Sequence, residues 1–531
     1  MKKTLILFFA VFCCVFSSCD NNKPPVVEEQ TTIYVRKNAH TVAAQEDLKA
    51  YATAIDAMKK LPCTDPRSWY FQGAMHNIPP RTQMGGKIDT LCPCYGDTCG
   101  ALASWANCPH MKPDAQQLHF LVWHRLYTWY FERVVRKFSG KKDFAMPYWN
   151  YFTESQRTLP ENFIRPDGNP LYEIGRSRVL MSGQAIGSSD SDGIVVNSNG
   201  IIKLVATLPM NIILDTTRLW SLNSYAQFSA QTESVPHNCM HDYIGGAVNK
   251  KYDLSSPIYN RIYQLLDSSM GTQGLMAMVP SAGFDPIFFL HHANLDRFWM
   301  GWEKAHPQSA LTFEEFNTAG MWTYNFIDEN GKTVTYTSLK QIFDSIRSIN
   351  YTYDYMVGQN QKEAAPVKHA QWNRGAELAT KKPMMQMLKT EKKSEQYVID
   401  FPQQLKAAQE GNTYYSLEVE VSVAKPTHSF LAVVLDVNDT VEMKNDEKKF
   451  VVGVVGFFGM HKHEAGAAHG LTSDPSDGRL HKTFTFDISK QLELQNGFNS
   501  KGVTVHVTPL RPEPNNPIQV HNVKLREYNK N

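Results

Sequence analysis

Residues 285–299 read DPIFFLHHANLDRFW. Asp-Pro opens a helix, because proline is tolerated in the first turn, and the aromatic and aliphatic residues that follow demand burial. His292 lies on that stretch, with Asp296 and Arg297 one turn later. The segment FLVWHRLYTWYFE repeats the arrangement: His124 sits in an equally aromatic helix, with Glu132 two turns on. In PHNCMHD, His237 and His241 stand four apart, so a helix carries both imidazoles on one face. Each segment alone is ambiguous. A chain with 18 histidines produces such pairs by chance, and a buried neutral histidine can be a satisfied core residue. Together, three such helices point to a helix bundle around an all-histidine transition-metal site, since imidazole suits copper, zinc, iron and nickel. Few acidic residues and no paired cysteines accompany them, which disfavours a carboxylate di-iron site or a zinc finger.

The 531 residues carry 54 Lys and Arg against 52 Asp and Glu, a net charge of +2. No basic excess is available for phosphate, so nucleic acid is not an expected partner. With 42% hydrophobic residues the chain can fill a sizeable core. Apolar residues at helical spacing predict a helix over 44–60, and a further helical stretch after Arg67 carries His76. Residues 79–113 read as a long ordered loop. Beyond Tyr355 the character changes. Residues 357–410 are rich in Lys and Gln and read as a linker. From about Tyr414 the runs LEVEVSVA, FLAVVLDV, KFVVGVVGFF, KTFTFDIS and VTVHVTPL alternate with period two, which predicts an antiparallel β-sandwich. The cluster His461, His463 and His469 reads as a solvated loop between strands.

At the N-terminus, Lys2 and Lys3 precede an apolar run over 5–15, too short to span a bilayer comfortably, which reads as a secretory signal. It ends in Phe16-Ser17-Ser18-Cys19, which resembles the lipobox of bacterial lipoproteins. That resemblance implies cleavage before Cys19, a lipid on Cys19, and an exported chain anchored to a bacterial membrane on its periplasmic or cell-surface face. Residues 20–32 are polar and suit a tether. Six of nine cysteines lie beyond the signal, four of them between 92 and 108, so disulfide staples are expected there with pairing left open.

The histidine motifs resemble those of the type-3 copper proteins, specifically tyrosinases and plant-type polyphenol (catechol) oxidases. Asp285, Pro286, Phe288, Phe289, His292 and Asp296 match the second copper signature, in which His292 and not His291 is the ligand. PHNCMH matches the segment with the other two ligands of that copper, His237 and His241. Phe120, Leu121, Trp123, His124, Arg125, Thr128 and Glu132 match the core of the first signature, and WYFQGAMH resembles the segment that carries its first ligand, His76. The family's middle ligand stands nine residues before the histidine of WHR, where this chain has Ala115. Two candidates replace it: His110, in a Cys-x-His resembling one that forms a thioether in the family (here from Cys108), and His119, in a plant-like Gln-Leu-His. Tyr351-x-Tyr353 resembles the motif that closes the catalytic domain.

These readings together divide the chain into a signal over 1–18, a tether over 19–32, a mainly α catalytic domain over 33–356 built as a four-helix bundle around two copper ions, a linker over 357–410, and a β-sandwich over 411–531, which the resemblance implies shields the site. The resemblance to type-3 copper proteins implies oxidation of o-diphenols to o-quinones with O2 reduced to water. Small phenols and O2 are then the partners, besides membrane lipid. Glu233 and Asn238 match a pair that holds a proton-accepting water, and Val279 matches the residue over the second copper, where it leaves an open cavity. Both tilt toward monophenol hydroxylation as well. Asp296 is expected to fix a ring tautomer. The alternative is a dioxygen-binding, hemocyanin-like protein without turnover.

Overall fold

The computed structural model describes residues 33–77, 108–186, 213–245 and 274–357 apart from single positions, two short strands over 193–196 and 202–205, and, from 372 to 530, the strands and the residues adjoining them. The signal, the tether with Cys19, most of the cysteine-rich loop, and His461, His463 and His469 lie outside the described residues.

The N-terminal part is helical. Helices α1 (Gln45–Lys59), α2 (Trp69–Ala74), α3 (His119–Ser139), α4 (Tyr225–Thr232), α5 (Asn238–Gly245), α6 (Ile287–Ala305) and α7 (Leu339–Ser348) include every helix read from the sequence. The Ser68 hydroxyl caps α2 by accepting from the Phe71 amide at 3.1 Å. His76 falls just past the end of this helix rather than within it. Phe131 of α3 stacks on Phe289 of α6, ring centroids 3.6 Å apart, and Trp123, Tyr127, Phe288 and Trp299 extend this aromatic core. Such rings each bury a large apolar area, which is why the sequence concentrates them here. No helix among the described residues is long and apolar enough to cross a membrane.

One network ties the chain ends of this part to the two central helices. Strand β1 (Tyr34–Arg36) pairs in parallel with β2 (Tyr351–Tyr353). Fully buried Arg36 binds Glu132 of α3 at 2.8 Å and Asp296 of α6 at 2.9 Å. Arg125 reaches the other Asp296 oxygen at 2.6 Å, and the Tyr351 and Tyr353 hydroxyls donate to Asp296 at 2.5 and 2.7 Å. Asp296 is thus committed to two guanidiniums and two phenols, and the expectation that it orients a histidine ring is corrected.

The C-terminal part is β-structure, in strands β3 (Trp372–Asn373), β4 (Glu377–Lys381), β5 (Met384–Leu388), β6 (Ser394–Phe401), β7 (Thr413–Val423), β8 (Phe430–Val437), β9 (Val451–Gly456), β10 (Leu480–Asp487), β11 (Val503–Leu510) and β12 (Gln519–Lys530). They form two antiparallel sheets, ordered β9-β8-β11-β6-β5 and β10-β7-β12-β3, with β4 also paired to β12. Alternate residues of both sheets, such as Leu431, Val433, Leu417 and Val419, share one core. The expected linker over 357–410 is corrected: β3 to β6 fall inside it, and the β-structure begins by Trp372 rather than at 411.

Candidate metal centre

Six histidines converge between α2, α3, α5 and α6. Each is set by its own stretch of backbone. Gly283 lets the segment before α6 cross close to α2: a Cβ there would lie 2.6 Å from the Gly73 carbonyl oxygen and 3.1 Å from Cβ of His76. This crossing brings the Val279 carbonyl 2.9 Å from His76 Nδ1. Between α4 and α5, Glu233–His237 forms one turn of π-helix that contains Pro236. Proline lacks the N–H that would continue the regular ladder, and the widened turn sets His237 at the head of α5. His241 follows four residues later on the same face.

The rings form one continuous group. His76, His110 and His124 lie with centroids 5.1 to 5.6 Å apart. His237, His241 and His292 lie 4.5 to 5.7 Å apart. The trios meet where His124 stacks on His292, centroids 4.2 Å apart and nearly parallel. Phe120 and Phe288 wall the group, packing on His237 and His76 at 4.6 and 4.7 Å.

On four rings an oxygen fixes Nδ1: Val279 for His76, the Phe120 carbonyl for His124 at 2.7 Å, the Asn238 side chain for His237 at 2.8 Å, and the Met276 carbonyl for His241 at 2.8 Å. A carbonyl oxygen only accepts, so Nδ1–H donates and the Nε2 lone pair is left to the interior. Burial holds all six rings neutral: His124 is pushed down to about 3, and the other five well below the usual range. Nε2 of His124 and of His292 is buried without a hydrogen-bond partner, as expected of donors awaiting a metal. Nε2 of His76 and of His110 face each other at 3.1 Å. A set of neutral imidazoles with converging lone pairs fits two copper ions, three rings to each.

The ring that joins His76 and His124 is that of His110, while His119 lies elsewhere. His119 heads α3, but Nε2 lies 2.9 Å from the Gly320 carbonyl and Nδ1 lies 2.9 Å from the Tyr324 hydroxyl. The carbonyl requires Nε2–H, so Nδ1 accepts from Tyr324 and neither nitrogen is left for a metal.

The remaining candidates sit close by. Buried Glu233 reaches His110 Nδ1 at 3.5 Å. Asn238 spends its side-chain oxygen on His237. Val279, expected over the second copper, is tied through its carbonyl to His76 of the first trio. Cys108, one of the cysteines expected to staple the loop, is a buried thiol whose sulfur lies within 4.8 Å of ring nitrogens of His76 and His110. Cys63, Cys92, Cys94 and Cys99 lie outside the described residues. Two lysines went unread in the sequence: Lys112, which burial lowers to about 7, and Lys482 of β10, which burial lowers to about 8, each within electrostatic reach of Glu233. The position of Lys112 two residues after His110 was the available signal for the first. Nothing local marked the second.

The family model for the common central domain of tyrosinase matches residues 66–305, the span that supplies every one of these rings. That span carries the central domain of the tyrosinases. Among curated relatives, tyrosinase HcTyr1 of Hahella sp. (strain CCB-MM4) is 26% identical over 344 residues, 60% of this chain and 62% of that one. The chloroplastic polyphenol oxidase of Spinacia oleracea is 27% identical over 324 residues, 60% of this chain and 47% of that one. The chain thus matches about half to three-fifths of the length of these relatives. A recombinant latent aurone synthase (polyphenol oxidase) superposes with a TM-score of 0.59 at 17% identity, covering 94% of this chain and 90% of that one. Latent apple tyrosinase superposes with a TM-score of 0.56 at 19% identity, covering 95% and 98%. These two likenesses concern the fold, a helical domain followed by sheets.

Proposed function

We propose that this protein is a copper-dependent oxidase that converts o-diphenols to o-quinones, with O2 reduced to water, and that it also hydroxylates monophenols. The observation that carries this reading is the pair of neutral, buried imidazole trios within the span matching the tyrosinase central domain. His76, His110 and His124 would hold one copper; His237, His241 and His292 would hold the other. When bound, the copper pair supplies a site for O2 and exchanges electrons between it and the phenol. Each catechol gives up two electrons and two protons, so two catechols are consumed per O2 reduced to water. The chain's own groups do the rest. Asn238 keeps the His237 ring turned inward. Glu233, beside His110, is the carboxylate placed to take a phenolic proton. Phe120 and Phe288 keep bulk water from the rings.

The two sheets are read as the expected sandwich, the site helices as the expected four-helix bundle, and the β-structure as a shield over the site. Cys108 and His110 are read as the thioether pair, and Cys19 as the lipid-bearing residue of an exported, membrane-anchored chain. The decisive experiment loads the chain with copper and follows oxygen uptake with catechol, then with tyrosol. Uptake with quinone formation from catechol is expected, and activity on tyrosol adds the hydroxylation. Two coppers per chain with reversible O2 binding and no uptake would replace the oxidase by a carrier.

A further inference from the structure

A seventh imidazole stands where neither the expected ligand set nor the proposed reaction uses it. His291 is fully buried. Its ring lies 5.3 Å from His237, 4.8 Å from His241 and 5.0 Å from His292, centroid to centroid. One ring nitrogen from each of these four residues falls within 4.8 Å of the others. Nδ1 of His291 meets the Tyr151 hydroxyl at 2.9 Å, and Nε2 is buried without a hydrogen-bond partner. The Tyr151 hydroxyl can accept from Nδ1–H, as the carbonyls do on the ligand rings. Close to Tyr151, the Asn294 side-chain oxygen accepts from Arg297 at 3.2 and 3.0 Å. A structural histidine would be expected to satisfy both nitrogens at this depth, as His119 does.

We infer that His291 is a fourth imidazole of the second copper position, a reserve ligand that holds Cu(II) when that position alone is filled. The inference rests on the dicopper reading above. Its chemical basis is the preference of Cu(II) for a tetragonal set of nitrogen donors, one more than His237, His241 and His292 provide. With Nδ1–H donating to Tyr151, the Nε2 lone pair of His291 supplies that donor. The fourth ring then retains the ion until the neighbouring position fills.

The test uses the full chain and copper alone. Titration of the unaltered chain first asks whether it binds two ions, and fewer than two would sink the dicopper reading independently of His291. A His110→Ala background then leaves the second position to be loaded with Cu(II). In that background His291→Asn is compared with His291 by counting coupled histidine nitrogens in electron paramagnetic resonance and by the rate at which a chelator extracts the ion. The expected result is the loss of one coupled nitrogen and extraction faster by about tenfold or more, within the range seen when a group that supports a metal site is removed. Unchanged spectra and rates would overturn the inference. Should His291→Asn fail to fold, Tyr151→Phe carries the test: it keeps the ring but removes its anchor, and extraction at the rate of the unaltered ring would count against a ligand role.

Discussion

At the scale of single residues, the site is defined by which nitrogen of each ring is spoken for. Carbonyls hold Nδ1 of His76, His124 and His241, but a side chain holds His237, so there a substitution can release the ring cleanly. Asn238→Ala should weaken copper binding about 10- to 100-fold, read by competition with a chelator, with the fold unchanged by circular dichroism. The surroundings of His119 were not legible in the sequence, because the Gly320 carbonyl and the Tyr324 hydroxyl that engage its ring lie some 200 residues away. That environment also predicts a pH effect. Burial lowers His119 from the usual 6.5 to about 4. Between those values the unfolded chain takes up the proton and the folded chain does not, so stability falls as pH drops from about 6.5 to about 4. The window is worth roughly 3 kcal/mol at 1.36 kcal/mol per unit. In metal-free protein, His119→Phe should therefore cost most near pH 7 and progressively less toward pH 4, measured as urea midpoints. A cost independent of pH would show that the ring is not held neutral.

At the scale of elements, the helices were legible because each repeats apolar residues with helical period, and the long strands were legible because they alternate. Strands β3 to β6 were not, since the Lys, Gln and Glu residues within 372–401 mask a short apolar alternation such as Tyr397, Ile399 and Phe401. The network around Asp296 was half legible: Asp296, Glu132 and the two tyrosines stood out as motif residues, but nothing in the sequence joined them to Arg36, which arrives on β1 from the far end of the domain. Burial alone would raise the Asp296 carboxyl, but Arg125 and Arg36 win and hold it below its usual range. Removing one partner from such a buried set leaves charge uncompensated, which costs about 3–5 kcal/mol. Asp296→Asn should lower stability by that order in a denaturant titration. Arg36→Met in the same background should cost less than it does alone, because Asp296 and Arg36 share one network.

At the scale of the whole molecule, residues 430–435 of β8 and all of β9 are buried on both faces of their sheet. Leu431, Val433 and Leu435 face the core shared by the two sheets, while Phe430, Ala432 and Val434 join the core of the helical part. This accounts for the uninterrupted apolar runs FLAVVL and VVGVVG, which a sheet with one wet face does not need. The contact lands on α5, the helix that carries His241 and is headed by His237. The Phe457 amide donates to Asp242 at 3.1 Å, and Gln231 of α4 donates to the Thr485 carbonyl at 2.7 Å. Gly456 permits the approach, since a Cβ there would lie 2.5 Å from an Asp242 oxygen and 3.1 Å from the Asn238 carbonyl carbon. Backbone atoms cannot yield as the tip of a side chain can, so Gly456→Val must push β9 away from α5. If the β-structure shields the rings, as proposed, the displacement opens the route for a phenol. Catechol turnover should rise by about tenfold, equivalent to about 1.4 kcal/mol. Cleavage within 358–371 should raise it further, because the covalent tie that returns the shield to its seat is then lost. Copper content should stay at two per chain throughout, since the substitution touches no ring. Turnover unchanged in both forms, with β9 shown by hydrogen exchange to have left α5, would mean that the sheet braces the ligand helix without guarding it.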